Sequence, residues 1–220
     1  MSSIRYRKMA TQINHLRKAF LPRNLQQDII NFTQKLSLRA LSFRILSHGE
    51  IESYLEDRSL EIATAADLAW KNQEKISKTT FCLLAFSGHP MAPLPDTLRA
   101  PPKKKQTDWQ ALITPDHRLS KSIAQLIHHV KHKNHGIKED SVVSMMLPIG
   151  VDPSLIEEVL LADLNDLASK RGEAAHGRAF GHVQKGVNPK DEYDQIKRIL
   201  ESLLEIDKIY DKLYKGARHK

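Results

Sequence analysis

Residues 155–178 read LIEEVLLADLNDLASKRGEAAHGR, an apolar helical pattern that ends in a polar segment. The first half repeats apolar residues at the spacing of one helix face. These are Leu155, Ile156, Val159, Leu160, Leu164 and Leu167. Asp152 and Pro153, an N-cap residue and a first-turn proline, predict that the helix begins there. Arg171 and His176 lie five positions apart at the end of this predicted helix.

The two side chains at that end suit anion binding and proton transfer. Arg171 keeps its charge and offers a planar fork of donors that fits a phosphate. His176 is the type of side chain that most easily gives and takes a proton near neutral pH. Together they could hold a phosphodiester and move the proton of a ribose 2′-hydroxyl without a metal.

Helix geometry limits how these two side chains can meet. On one continuous helix, five residues advance about 500°, so the side chains point about 140° apart with a rise of about 7.5 Å. They converge only if one lies on a turn or if two copies of the segment meet. Gly172 favours a turn, and Ala174, Ala175 and Gly177 would let another backbone come close. A nearby two-fold axis would place two arginines and two histidines in one cleft.

The run RGEAAH at residues 171–176 resembles the Arg-x4-6-His motif of HEPN domains. Within that superfamily the chain most resembles the RiboL-PSP-like group of toxin or defence ribonucleases. Two further stretches share this likeness, LSHGEIESYLEDRSLEI at 46–62 and KNHGIKEDSVVSMML at 133–147. The resemblance extends over residues 24–215.

The resemblance implies an obligate helical homodimer that cleaves RNA as a metal-independent endoribonuclease, with no cofactor and with 2′,3′-cyclic phosphate products. Arg171 and His176 would be the catalytic pair, and Glu173 a polar neighbour. A further set of cationic side chains would contact the RNA. These are Lys170, Arg178, His182 and Lys185. An enzyme of this type also implies a cognate antitoxin protein as a partner.

A second hypothesis is a non-catalytic helical dimer that binds RNA, a nucleotide or a protein partner through the same basic cleft. Gly172 favours it, because many members of the group carry a polar residue directly after the arginine. A purely structural interpretation also stays open, in which Arg171 forms an ion pair at a helix end. His176 would then only hydrogen-bond the backbone.

A third hypothesis, a metal-dependent hydrolase, concerns the histidines at the end of another predicted helix. The spacing of His128, His132 and His135 places three imidazoles on one helix face, as in some metal sites. The neighbouring Lys131 and Lys133 would repel a divalent cation. An anion-facing or solvated surface therefore fits this cluster better than a metal site.

Composition sets the fold class and the compartment. The 220 residues suit one domain, 1–220, and apolar residues make up 40% of them. Aromatic residues are only 6%, which favours helices, and we predict an all-α bundle of five to six helices. The formal charge of +8 would attract nucleic acid. The single Cys82 is expected in the core, and with no membrane-spanning stretch we expect a cytoplasmic protein.

The remaining helices are placed by their caps. Residues 1–22 form a basic arm, either solvated and loosely packed or in contact with RNA, and a helix follows from Asn24 to about Leu46. Ser47-His48-Gly49-Glu50 has the spacing of a capping box and predicts the start of another helix. Alternatively, His48, Glu50 and Glu52 form a second polar cluster near the active site.

From residue 73 onward, prolines mark the predicted boundaries of the helices. A third helix is predicted from Gln73 to Ser87, and residues 88–115 form an insertion rich in proline and lysine. Thr114-Pro115 caps the next helix, and Asn188-Pro189 caps the last one, which runs to about Tyr214.

Overall fold

The all-α prediction is confirmed by a computed structural model of the chain. The structure describes residues 2–25, 33–86, 97, 99–103, 109, 114–176 and 186–218, without the side chains of 174–176. These residues hold seven α-helices and no β-strand. Most of the 88–115 insertion lies outside the described residues, as do 26–32 and 177–185.

The α-helices are named in chain order. They are α1 (Ile4–Phe20), α2 (Gln34–Gln73), α3 (Lys78–Ala85), α4 (Pro115–His128), α5 (Glu139–Met146), α6 (Glu158–His176) and α7 (Pro189–Ala217). A π-helical turn, His129–Lys133, extends α4, and a 3-10 turn, Pro153–Leu155, precedes α6.

The chain forms two compact units. Unit 1 comprises Met1–Leu55, Gly136–Val142 and Ser154–Ile209, and unit 2 comprises the remaining residues. The helices α2 and α7 contribute residues to both units. The expectation of a single domain therefore stays a prediction.

Unit 1 is built on apolar faces of α2, α6 and α7. Each helix contributes side chains at three- and four-residue spacing that are almost fully buried. They include Phe43, Ile51 and Leu55 of α2, Leu160, Leu164 and Leu167 of α6, and Ile196, Ile199, Leu203 and Ile206 of α7. The predicted apolar face of α6 is thus confirmed at Leu160, Leu164 and Leu167. It was wrong at Leu155, which lies exposed in the 3-10 turn, and at Val159, which is exposed in the first turn of α6.

The basic arm is a docked helix, so the first alternative, a loosely packed terminus, was wrong, whereas its contact with RNA stays a prediction. Ser3 caps α1 by accepting a hydrogen bond from the backbone N–H of Tyr6 at 3.0 Å. The backbone N–H and the hydroxyl of Ser3 also donate to the Asp207 carboxylate, at 2.7 and 2.6 Å. The Tyr54 hydroxyl donates to the same buried carboxylate at 2.9 Å. These donors offset the cost of burying the charge.

A buried ion pair joins α2 to α7. Arg44 and Glu192 are both buried, and Nε of Arg44 donates to Oε2 of Glu192 at 2.7 Å. A terminal nitrogen of Arg44 donates to Oε1, so the contact is bidentate. Because both groups are buried away from water, removal of one of them would leave the other charged, buried and unpaired.

Unit 2 contains α3, α4 and the π-turn. The capping box of α3 joins Ser77 and Thr80, so the helix begins at Lys78 rather than at the predicted Gln73. Cys82 is buried in this helix as expected, and burial raises the pKa of its thiol. The Thr79 hydroxyl donates to the carbonyl of Ile149 at 2.8 Å.

The predicted capping box at Ser47–Glu50 was wrong, because α2 runs through it without a break. Ser47 is fully buried within the helix, and so are the apolar Phe43 and Ile51, which lie one turn before and one turn after it. Glycine inside a helix costs about 1 kcal/mol relative to alanine, less than burial of one large apolar side chain contributes. Tertiary packing therefore decides against a helix end at Gly49.

Two other helices begin at residues different from those predicted, whereas the predicted starts of two helices were confirmed. Asn24 is not helical, and α2 begins at Gln34, where the Thr33 hydroxyl accepts from the backbone of Leu36. The Asp152-Pro153 pair starts only the 3-10 turn, and α6 follows from Glu158. The starts of α4 at Pro115 and of α7 at Pro189 are confirmed.

Breaking the buried ion pair should destabilise the protein strongly. Glu192→Ala leaves the Arg44 guanidinium buried without its carboxylate, and we expect the free energy of unfolding to fall by about 3–5 kcal/mol. Asp194→Ala breaks the more exposed pair between Lys190 and Asp194 on the same helix and should cost less than about 1 kcal/mol. Urea denaturation of both variants measures the difference, and equal losses would contradict the prediction.

Candidate functional site

The helix α6 continues through Gly172 to His176, so the predicted turn at this glycine was wrong. Among the residues that the structure describes, a Cβ atom at Gly172 would meet nothing within 4 Å beyond its own helix and chain neighbours, so no close approach of these residues explains the glycine. Because Arg171 and His176 lie five positions apart on one uninterrupted helix, their backbone positions face directions about 140° apart around the helix axis. Within one chain, the helix therefore does not bring the two positions onto one face.

The predicted site residues fall into three groups. Arg171 is half-buried near the end of α6, and Glu173 is exposed. Lys170 forms an ion pair with Asp166 and lies 3.4 Å from the Gln195 side-chain oxygen. Two sets are not described: the side chain of His176, and the whole of residues 177–185. The latter include Arg178, His182 and Lys185.

Arg171 differs from its neighbouring cations because it has no carboxylate partner among the described residues. Arg198 of α7 makes two hydrogen bonds to Asp163, at 3.1 and 2.8 Å, and Lys170 is paired with Asp166. No carboxylate within the described ranges forms an ion pair with Arg171. A half-buried guanidinium in this state retains all its donors for an anion.

His48 of α2 lies within the electrostatic reach of Arg171. Its side chain is almost fully buried, and burial, together with the positive charge of Arg171, lowers its pKa to about 4. The Glu52 carboxylate oxygen lies 3.6 Å from Nδ1 of His48 and would favour the charged form. Burial and Arg171 outweigh this carboxylate, so the imidazole is neutral at pH 7.

Residues Arg44, His48 and Glu52 form a polar row along α2 at four-residue spacing, which we call the α2 polar row. The adjoining Ser47 hydroxyl is buried and has no hydrogen-bond partner in the part of the chain that the structure describes. An orphaned buried hydroxyl is rare in folded proteins and calls for an explanation. The row places a neutral imidazole and an unsatisfied hydroxyl within unit 1, which also holds Arg171.

Sequence reasoning gave His48 too little weight. The pattern Ser-x-x-Glu favoured a helix start over the alternative, a polar cluster of His48, Glu50 and Glu52 near the active site. The sequence did contain a signal for His48. At helical spacing, Arg44 and His48 share one helix face with the apolar Leu41 and Leu55. A charged and a titratable residue on a core-facing stripe indicate a buried polar site.

The histidine cluster of unit 2 is divided by the π-turn. His128 ends α4, and its ring lies 5.2 Å from the ring of His132, which is exposed. His129 points to a different partner and shares a hydrogen bond with the Ser144 hydroxyl at 2.8 Å. Across the described segments, no three His, Cys, Asp or Glu side chains group as a metal site requires.

Comparison with known proteins identifies no relative of this chain. No protein-family profile matches the chain, and no curated protein or solved structure is detectably similar to it. Within the described ranges, no helix has the length and apolar character needed to cross a membrane.

The lowered pKa of His48 should make stability depend on pH. The unfolded chain binds this proton near pH 6.5 and the folded protein only near pH 4. His48 therefore contributes about 3 kcal/mol to the free energy of unfolding above pH 6.5. This contribution is lost as the pH falls from 6.5 to 4. In His48→Gln the loss over this range should be smaller by that amount, as measured by urea denaturation at several pH values.

The control for this experiment is His15→Gln, which removes an exposed histidine of α1. It should keep the pH dependence of the wild type. A His48→Gln variant whose stability falls as steeply as that of the wild type between pH 6.5 and 4 would contradict the assignment to His48.

Proposed function

We propose that this protein is a metal-independent endoribonuclease of toxin or defence type, acting as a homodimer. The observation that carries the proposal is the half-buried Arg171 guanidinium, which has no carboxylate partner in the described ranges and lies five residues before His176 on α6. The resemblance of RGEAAH to the HEPN motif supports the same function. The formal charge of +8 suits a polyanionic substrate.

In this mechanism Arg171 binds the scissile phosphate and stabilises the negative charge that develops on it. His176 accepts the proton of the ribose 2′-hydroxyl, whose oxygen attacks the phosphorus. The bond from phosphorus to the 5′-oxygen breaks, and the same His176, now protonated, gives its proton to that oxygen. The products are a 2′,3′-cyclic phosphate and a free 5′-hydroxyl, and DNA is spared because it lacks the attacking group.

His48, whose pKa is lowered in part by the charge of Arg171, would assist as a neutral group. A charged imidazole there would repel the guanidinium, and the lowered pKa keeps it uncharged at physiological pH. A neutral imidazole offers one donor and one acceptor, so it can hold the orientation of Arg171 or a phosphate oxygen. We assign His48 the role of a positioning residue rather than that of the base, because its pKa of about 4 makes it a weak base at pH 7.

The course of α6 supports the proposal of a dimer. Since the helix places the backbone positions of Arg171 and His176 on different faces, we infer that a cleft containing both takes one residue from each of two protomers. The small residues Ala174, Ala175 and Gly177 lie between and beside them in the sequence, and their size allows close helix contact. A cognate antitoxin protein would block this cleft.

Removal of either catalytic side chain should abolish RNA cleavage in excess EDTA. We expect Arg171→Ala to lower the rate of cleavage of a mixed RNA about 100-fold or more, and His176→Ala about 100- to 10,000-fold. Cyclic-phosphate ends, detected by mass spectrometry, identify attack by the 2′-hydroxyl. An all-DNA substrate should stay intact.

The matched controls are Arg198→Ala, which removes a guanidinium paired with Asp163, and His15→Ala, which removes an exposed imidazole. Both should cleave like the wild type. No cleavage by the wild type, or equal cleavage by all variants, would contradict the nuclease proposal. Retained RNA binding without cleavage would favour the non-catalytic dimer instead.

Mixing the two inactive variants tests the composite site. If each cleft uses Arg171 of one protomer and His176 of the other, a heterodimer of Arg171→Ala and His176→Ala contains one complete cleft. Random exchange makes half of the dimers mixed, so the activity should recover to about a quarter of the wild-type value. Lack of recovery after confirmed subunit exchange would show that both residues of a cleft come from one chain.

A further inference from the structure

A surface of unit 2 concentrates positive charge. Residues 117–135 read HRLSKSIAQLIHHVKHKNH and contain four lysine or arginine residues and five histidines, but no aspartate or glutamate. Three consecutive side chains, Lys131, His132 and Lys133, are exposed. Neither lysine forms an ion pair with any carboxylate that the structure describes. We call residues 128–133 the basic turn.

The basic turn is held in place by its buried ends. Val130 is almost fully buried, and His129 shares a hydrogen bond with Ser144 at 2.8 Å. Asn134 is also buried, and its amide donates to the Glu56 carboxylate at 2.8 Å. Its backbone N–H donates to the His129 carbonyl at 2.8 Å, which closes the π-turn. These contacts fix the lysines on an ordered backbone, so little backbone entropy is lost when a ligand binds.

The chemistry of the basic turn favours single-stranded nucleic acid. Lysine ammonium groups act as point charges for phosphates, and aromatic rings stack on unpaired bases. His128 and His132 present two exposed rings with centroids 5.2 Å apart, beside Lys131 and Lys133. The exposed residues of the turn include no large apolar side chain that could enter a lipid layer. Rings interleaved with lysines match a strand of bases and phosphates better than an acidic membrane.

We propose that the basic turn is a binding surface for single-stranded RNA, with Lys131 and Lys133 on the phosphates and His132 against a base. The choice of RNA over DNA rests on the proposed function. The turn itself binds the strand without cleaving it. It would hold the substrate through contacts that are separate from Arg171 and His176.

The test is binding of a fluorescein-labelled 2′-O-methyl RNA 20-mer, measured by anisotropy at several salt concentrations. This probe cannot be cleaved by 2′-hydroxyl attack, so the result does not depend on catalysis. Lys131→Gln/Lys133→Gln should raise the Kd at least about threefold and reduce the slope of log affinity against log salt by about 1.4, or 0.7 per lysine. His132→Ala should raise the Kd about fivefold or more with little change in slope.

The matched control is Lys197→Gln/Lys208→Gln, which removes two exposed lysines of α7 that have glutamate partners. It should keep the wild-type Kd and slope. No binding by the wild type, an unchanged Kd in the basic-turn variant, or equal losses in the control would overturn the proposal. The same would follow if the turn variant lost binding to phosphatidylserine vesicles but not to RNA. Intact RNA binding with no cleavage of ordinary RNA would instead contradict the nuclease function alone.

Discussion

The buried ion pair of Arg44 and Glu192 is the constraint on which the candidate site depends. Two opposite charges inside a protein are tolerable only in contact with each other, so α2 can neither slide nor rotate without losing that contact. His48 follows Arg44 by one helical turn, and the fixed register therefore holds its imidazole within reach of the Arg171 charge. The α2 polar row thus combines a structural ion pair with a group suited to function.

Much of the fold could be predicted from local patterns. The three- and four-residue spacing of Leu160, Leu164 and Leu167 identifies the buried face of α6, although the same pattern also included Leu155 and Val159, which are exposed. Thr114-Pro115 and Asn188-Pro189 mark helix starts correctly, since proline at the first position loses no helical hydrogen bond. These features depend on neighbours in sequence.

The errors arose where distant contacts decide. Ser47 and Gly49 have the composition of a helix boundary, yet α2 continues through them because Phe43 and Ile51 on either side are buried. Gly172 also suggested a turn that the helix does not make, and there no contact among the described residues accounts for the error. The effect of Arg171 on His48 joins two segments far apart in the sequence, and no local pattern encodes it. The helices were therefore more predictable than the site that they assemble.

The bond between Ser3 and the Asp207 carboxylate has a consequence for the order of biosynthesis. Its two residues are 204 positions apart, so the first helix leaves the ribosome long before its partner exists. Closing so long a loop comes late, because its entropy must be overcome before the contact is made. During translation α1 exposes Met9 and Ile13, the side chains it later buries, and nascent-chain chaperones can bind such apolar surface.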